Sequence, residues 1–196
     1  MTDRTVKLLL ILNLLFLAGI LLRPSMHTVA AQSSQPLPKE NEELERLTRE
    51  DQSDRTPPAG HPIDWKTVEP RDRARLERVK ELYSHGQLQT GRDYYNAALI
   101  LQHGDLPEDY LLAHELCVVA ISQGARVESL AAASEDRFLM NIGRPQRFGT
   151  QYRSDGGGPY RLYTMDSGVT DQLRRIMNVP SRAEAKAREA EMNGKR

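Results

Sequence analysis

The sequence predicts a mainly α protein: a small helical-hairpin bundle with a short β-hairpin inserted after its fourth core helix. Three observations carry that expectation. Apolar residues recur at helical spacing from Leu76 to Ile142. Gly86, the turn from His103 to Pro107, Gly124 and Gly143 cut that stretch into helix-sized pieces. After Gly149 the pattern changes to short, alternating, β-prone segments divided by Asp155 to Gly158. The 196 residues suffice for one domain with appendages. Lys and Arg total 27 against 27 Asp and Glu, so no global field draws nucleic acid or an anionic membrane. Cys117 is the only cysteine, which excludes an intramolecular disulfide; inside an apolar helical pattern it reads as a small buried hydrophobe.

Residues 1–31 read as an export signal or a membrane anchor. Arg4 and Lys7 precede an apolar run from Leu8 to Leu22 that only Asn13 interrupts, and Val29, Ala30 and Ala31 suit a cleavage site. The run is near the lower limit for a spanning helix, and positive charge on its N-terminal side would send the rest of the chain outward. Cleaved or retained, the segment places the domain outside the cytoplasm, in a periplasmic or similar compartment. Residues 32–69 are poor in apolar groups and rich in Ser, Pro, Gln and acid, the composition of a disordered tether. Asn41 to Arg49 reads at most as a transient helix, with only Leu44 and Leu47 to bury. Trp65, with Ile63 and Val68, marks where the chain is expected to dock on the fold, and the domain proper spans 70–193.

The first core helix carries Leu76, Val79, Leu82 and Tyr83 after Pro70 and stops at Gly86. The second runs from Thr90 to Gln102, with Tyr94, Ala97, Ala98 and Leu101 as its stripe. Asp105 and Pro107 suit the cap and first turn of a third, Glu108 to Gln123, in which Ala113, Cys117 and Ala120 allow a neighbour to approach closely. The fourth covers Val127 to Ile142. Gly149 to Arg153 and Pro159 to Thr164 follow as the hairpin. A helix capped at Ser167 or Thr170 reaches Met177, and a solvated, fraying helix closes the chain from Arg182 to Asn193.

Tyr110, Ala113 and Ala120 before Gly124 resemble one helical hairpin of the tetratricopeptide type. A repeat array needs at least about three units, so the likeness speaks for hairpin packing. A wider pattern joins Gln102 to Asp105, His114, Asp136 and Arg137, Gly143 to Gln146, Gly149 to Gln151, and Val179 with Pro180. In these elements the chain resembles a bacterial family of exported proteins known only as a domain of unknown function. That resemblance covers 72–193 and implies domain limits and attention to those residues; the family supplies no activity.

Two functions compete. The first is a non-enzymatic module for a peptide, a protein or envelope material, read by Gln102, Arg137, Gln146, Thr150 and Gln151, whose neutral amides and hydroxyl suit recognition. The second is a hydrolase-like enzyme with His103 or His114 and Asp136 as acid–base groups. His103 at a helix end and His114 within the next helix are offset by about 10 Å along a hairpin. No zinc spacing accompanies them, so no metal or cofactor is expected. Asp136 and Arg137 point about 100° apart on a helix, and one of them is expected to anchor backbone groups of the loop after Gly143.

Overall fold

The computed structural model describes residues 38–59, 61–154 and 157–194. The apolar run 8–22 and its cleavage site lie outside the described residues. Among those residues, seven helices and one two-stranded antiparallel hairpin follow in the order α1 (Glu42–Asp54), α2 (Trp65–Ser84), α3 (Gly91–Leu101), α4 (Pro107–Ser122), α5 (Glu128–Asn141), β1 (Tyr152–Arg153), β2 (Arg161–Leu162), α6 (Asp171–Ile176) and α7 (Arg182–Gly194). The mainly α expectation holds, and the hairpin follows the expected helix, Glu128–Asn141, which is the fifth because one more helix precedes it.

The extra helix is α1, and it corrects the tether over 32–69. Its buried stripe is Leu44, Leu47, Thr48 and Asp51, spaced i, i+3, i+4 and i+7, so half of the inward face is polar. Two leucines are too few to reveal such a helix, but each polar member has partners. Thr48 Oγ1 donates to the Leu44 carbonyl at 3.0 Å, and Asp51 accepts from Arg55 at 2.8 Å. Asn41 caps the helix by accepting from Leu44 N. Asp93, buried at the start of α3, accepts from Asn41 N with one oxygen and from Gln89 N and Thr90 N with the other. The chain therefore joins the core at Leu44 and not at Trp65, which is half exposed. The second helix likewise begins earlier than expected and runs through Pro70.

Helix α3 packs on α1, α2 and α4, and α4 packs on α5. Their shared core contains Leu44, Val79, Leu82, Ala97, Leu101, Leu116 and Cys117. Ala113, Cys117 and Ala120 are fully buried, as close helix packing requires. Burial pushes the Cys117 thiol up to about 12, so it stays protonated and unreactive. A smaller second core gathers Ala132, Phe148, Val169 and Val179. Ala131 faces the first core and Ala132 the second, which makes α5 the wall common to both. The cap of α4 is also corrected: Asp109, not Asp105, accepts from Leu106 N.

The final helix is docked, contrary to the solvated and fraying expectation. Ala185 is fully buried, and its carbonyl accepts from the Tyr152 hydroxyl at 2.8 Å. Glu189 accepts from Leu162 N at 2.6 Å, and the Asn193 amide exchanges hydrogen bonds with the Tyr160 backbone. An Ala-rich helix with little apolar face is thus fixed through polar contacts with the hairpin.

Candidate functional site

The loop after Gly143 is held from two sides by buried charges. Asp136, with no exposed surface, accepts from Arg147 N at 2.7 Å and Phe148 N at 2.9 Å through one carboxylate oxygen. Its other oxygen accepts from Thr150 N at 3.0 Å and Thr150 Oγ1 at 2.8 Å. Arg174, equally buried on α6, donates from its two terminal nitrogens to the carbonyls of Phe148 and Arg147. One acid gathers the loop's N–H groups and one guanidinium gathers its carbonyls. Gly149 between them has φ +70, and a Cβ there would lie 2.5 Å from Met165 Sδ and 3.2 Å from Arg174 Nη1. Gly149 therefore answers both to a left-handed backbone and to close packing.

Gln146 completes this hub. It has no exposed surface. Its amide nitrogen donates to the carbonyls of Gln151 and Tyr163, and its amide oxygen accepts from Gln151 N at 2.9 Å. Its backbone pairs with Thr164 and Asp166, tying the loop to the end of the hairpin. Thr150 is committed to Asp136, and the half-buried Gln151 donates to Thr150 Oγ1 at 2.8 Å. The amides expected to read a ligand hold the loop together, and the fold supplies their partners.

Arg137 does not anchor the loop. Its Nε is buried with no hydrogen-bond partner, and burial lowers its proton affinity. Gln102 is half-buried at the end of α3, where its N–H closes the last turn on Ala98 O. In the neighbouring turn, Gly104 gives way to Asp109: a Cβ at 104 would lie 2.4 Å from Asp109 Oδ2. The Tyr110 hydroxyl donates to the Gly104 carbonyl. His103 faces the ionic contact of α1 and α2, with Nε2 3.6 Å from Asp51 Oδ2, too far for a hydrogen bond. Burial, reinforced by Arg55 and Arg137, pulls its imidazole down to about 3. It is neutral at ordinary pH, so the 3.6 Å approach is not an ion pair. His114 contributes Nδ1 to a 3.0 Å hydrogen bond with Ala131 O; the carbonyl can only accept, so Nδ1 carries the proton and joins α4 to α5.

The two histidines and Asp136 therefore have separate partners: an ionic contact, a helix carbonyl and a loop backbone. No hydrogen bond or ion pair joins either histidine to Asp136 among the described residues. Nor does any group of three His, Cys, Asp or Glu side chains among them have metal-binding geometry.

The concave surface lies elsewhere. A cavity of about 660 Å³ opens beside α3 and the start of α5, with Tyr95, Leu99, Val127, Leu130 and Ala133 as its apolar wall and Arg92 and Arg126 at its edge. Arg92 stacks over the Tyr95 ring at 5.4 Å from its centre. Arg92, Tyr95 and Leu99 also line a second hollow of about 510 Å³ toward Glu45, Arg49 and Gln52 of α1. The exposed face of α3 is thus the floor of a groove walled by α1 and α5. Tyr95 and Leu99 lie one residue beyond Tyr94 and Ala98 of the core stripe of their helix; that slight offset is the signal that could have found the groove. Comparison with protein-family models, curated proteins and solved structures finds no match.

Proposed function

We propose that the protein is an exported or membrane-tethered helical binding module that takes a peptide or protein segment, or other envelope material, in the groove of α1, α3 and α5. The observation that carries this reading is the combination of aromatic, aliphatic and arginine side chains along an open concavity. The separate contacts of His103, His114 and Asp136 favour this reading over the hydrolase alternative. Export rests on Arg4, Lys7 and the apolar run 8–22, with the motif pattern from Gln102 to Pro180 supporting kinship with the exported family it resembles.

A photo-crosslinking residue at position 95 of the full chain, compared with one at the exposed Val118 of α4, tests the groove in living cells. A discrete adduct from position 95 and none from 118 is expected; equal labelling at the two positions overturns the reading. A phosphatase reporter active only outside the cytoplasm, fused after Arg196, is expected to be active. An inactive reporter, with the fusion protein present at normal level, overturns export.

A further inference from the structure

Resting on the groove assignment above, we infer that the occupant is an acidic peptide segment, one that sets a side-chain or terminal carboxylate beside an aliphatic residue. The argument begins with charge. The cavity between α3 and α5 is lined by two arginines, Arg92 and Arg126, and by no carboxylate. Three cavities elsewhere carry acids, Glu50 and Asp54 in one, Glu184 and Glu191 in a second, Glu69, Asp72 and Asp105 in a third. The adjoining hollow of this groove toward α1 adds only Glu45, which is paired with Arg49 at 2.8 Å.

The contrast extends to pairing. Arg46, Arg49, Arg55, Arg71, Arg75 and Arg78 each meet a carboxylate. Arg92 has the Tyr95 ring as its contact, and neither it nor Arg126 forms an ion pair among the described residues. Arg73, Arg144 and Arg161 also lack an ion pair among the described residues, but Arg92 and Arg126 are the two that share a hollow whose lining holds no carboxylate. A guanidinium presents a planar fork of donors that matches a carboxylate, and the low-dielectric wall of Leu99, Val127 and Leu130 strengthens such a contact relative to open water. The same wall offers burial to an aliphatic side chain next to the acid. Tyr95, already stacked by Arg92, supplies a rigid flat surface for the peptide between the two contacts.

The test uses the full chain in mild detergent and three labelled pools of short peptides: Glu and Asp mixed with Leu and Val, Gln and Asn with the same aliphatics, and Lys and Arg with them. The acidic pool is expected to bind, to weaken as salt rises, and to lose about tenfold in affinity in Arg92→Gln and again in Arg126→Gln. The melting temperature of both variants should stay at the parent value, which separates lost recognition from lost folding. Equal binding of the neutral pool, or an acidic-pool affinity indifferent to both substitutions, overturns the acidic specificity while leaving a peptide groove in place. Failure of all three pools to bind, or binding unaffected by Tyr95→Ala with the fold intact, overturns the groove reading together with it.

Discussion

Two of the regions in which this molecule buries charge neutralise it by opposite means. Between α1 and α2 the charges are matched to one another. Arg55 reaches Asp51 at 2.8 Å and Asp72 at 2.7 Å, while Arg75 reaches Asp54 at 2.9 Å and Asp72 at 2.6 Å. Around the loop after α5 they are kept apart. Asp136 is satisfied by backbone N–H groups and a hydroxyl, while Arg174 gives its two terminal nitrogens to backbone carbonyls and keeps only a 3.6 Å approach of Nε to Asp171. The network can redistribute when one member is lost, because each arginine has several acids and each acid several donors. The loop has no such reserve, since each group there is the sole solvent for polar backbone with nowhere else to turn.

Their titration differs in the same sense. Burial works against the charge on Asp54 and Asp72, yet hydrogen bonds from Arg75 and Arg71 to the first and from Arg55 and Arg75 to the second outweigh it. Both carboxyls are held below the usual range. Burial prevails at Asp51 and raises it despite Arg55. The stability contributed by Asp54 and Asp72 is present above their unfolded values and fades as pH falls through the depressed folded ones. Asp51 contributes in the opposite direction over the range between its unfolded and raised folded values, so the network partly compensates itself in acid.

The largest expected effect breaks the loop side of this contrast. Asp136→Ala strands three N–H groups and the Thr150 hydroxyl, and urea unfolding should register a loss of about 4 kcal/mol. A loss below about 1 kcal/mol would mean that water replaces the carboxylate and that the loop is not solvated by the protein alone. On the network side, Arg75→Met is expected to cost somewhat less, about 3 kcal/mol, because Arg55 and Arg71 still serve the acids it leaves. If it proves the more damaging of the two, redistribution does not occur.

His103 sharpens the network half. It binds protons less readily folded, at about 3, than unfolded, near 6.5. Stability tied to it is therefore complete above the unfolded value and declines as pH falls from there toward the folded one. Between about pH 6 and pH 5 the decline should be about 1 kcal/mol, and His103→Asn should flatten it. An unchanged slope in thermal unfolding across that interval would place the imidazole outside the network's influence. The smallest effect belongs to Arg147, whose side chain is 39% exposed beside Glu135 and Asp166. Arg147→Met should cost about 0.5 kcal/mol or less, although its own backbone N–H is one of those Asp136 holds. A cost near that of Asp136→Ala would erase the distinction between backbone solvation and surface pairing.

How much of this was legible can be judged residue by residue. The four helices with dense apolar stripes were readable because Leu, Val and Ala at helical spacing announce a buried face directly. The importance of the stretch from Asp136 to Gln151 was readable too, from Pro145, Gly149 and the cluster of polar groups. Its role was readable only as one possibility among several, since Gln146 has the same donors and acceptors whether it serves a ligand or Gln151 and Tyr163. Giving the anchoring to Asp136 instead of Arg137 required knowing the direction in which α5 turns its side chains toward the loop. The second anchor, Arg174, lies too far along the chain for spacing to suggest.

By itself the sequence determined the helical class, the four core helices, the change to β structure after Gly149 and the absence of an intramolecular disulfide. These follow from local periodicity and from residue inventory, which the order of residues contains outright. Tertiary structure alone decided that α1 and α7 belong to the fold, because their inward faces are largely polar or alanine and become stable only when Arg55, Thr48 and Asn41 or Tyr152, Glu189 and Asn193 find their partners. It also decided where the concave surface lies. A groove is a relation between helices, and Tyr95 and Arg92 of α3 meet Arg126 and Leu130 across it only after α4 has folded between them in the chain.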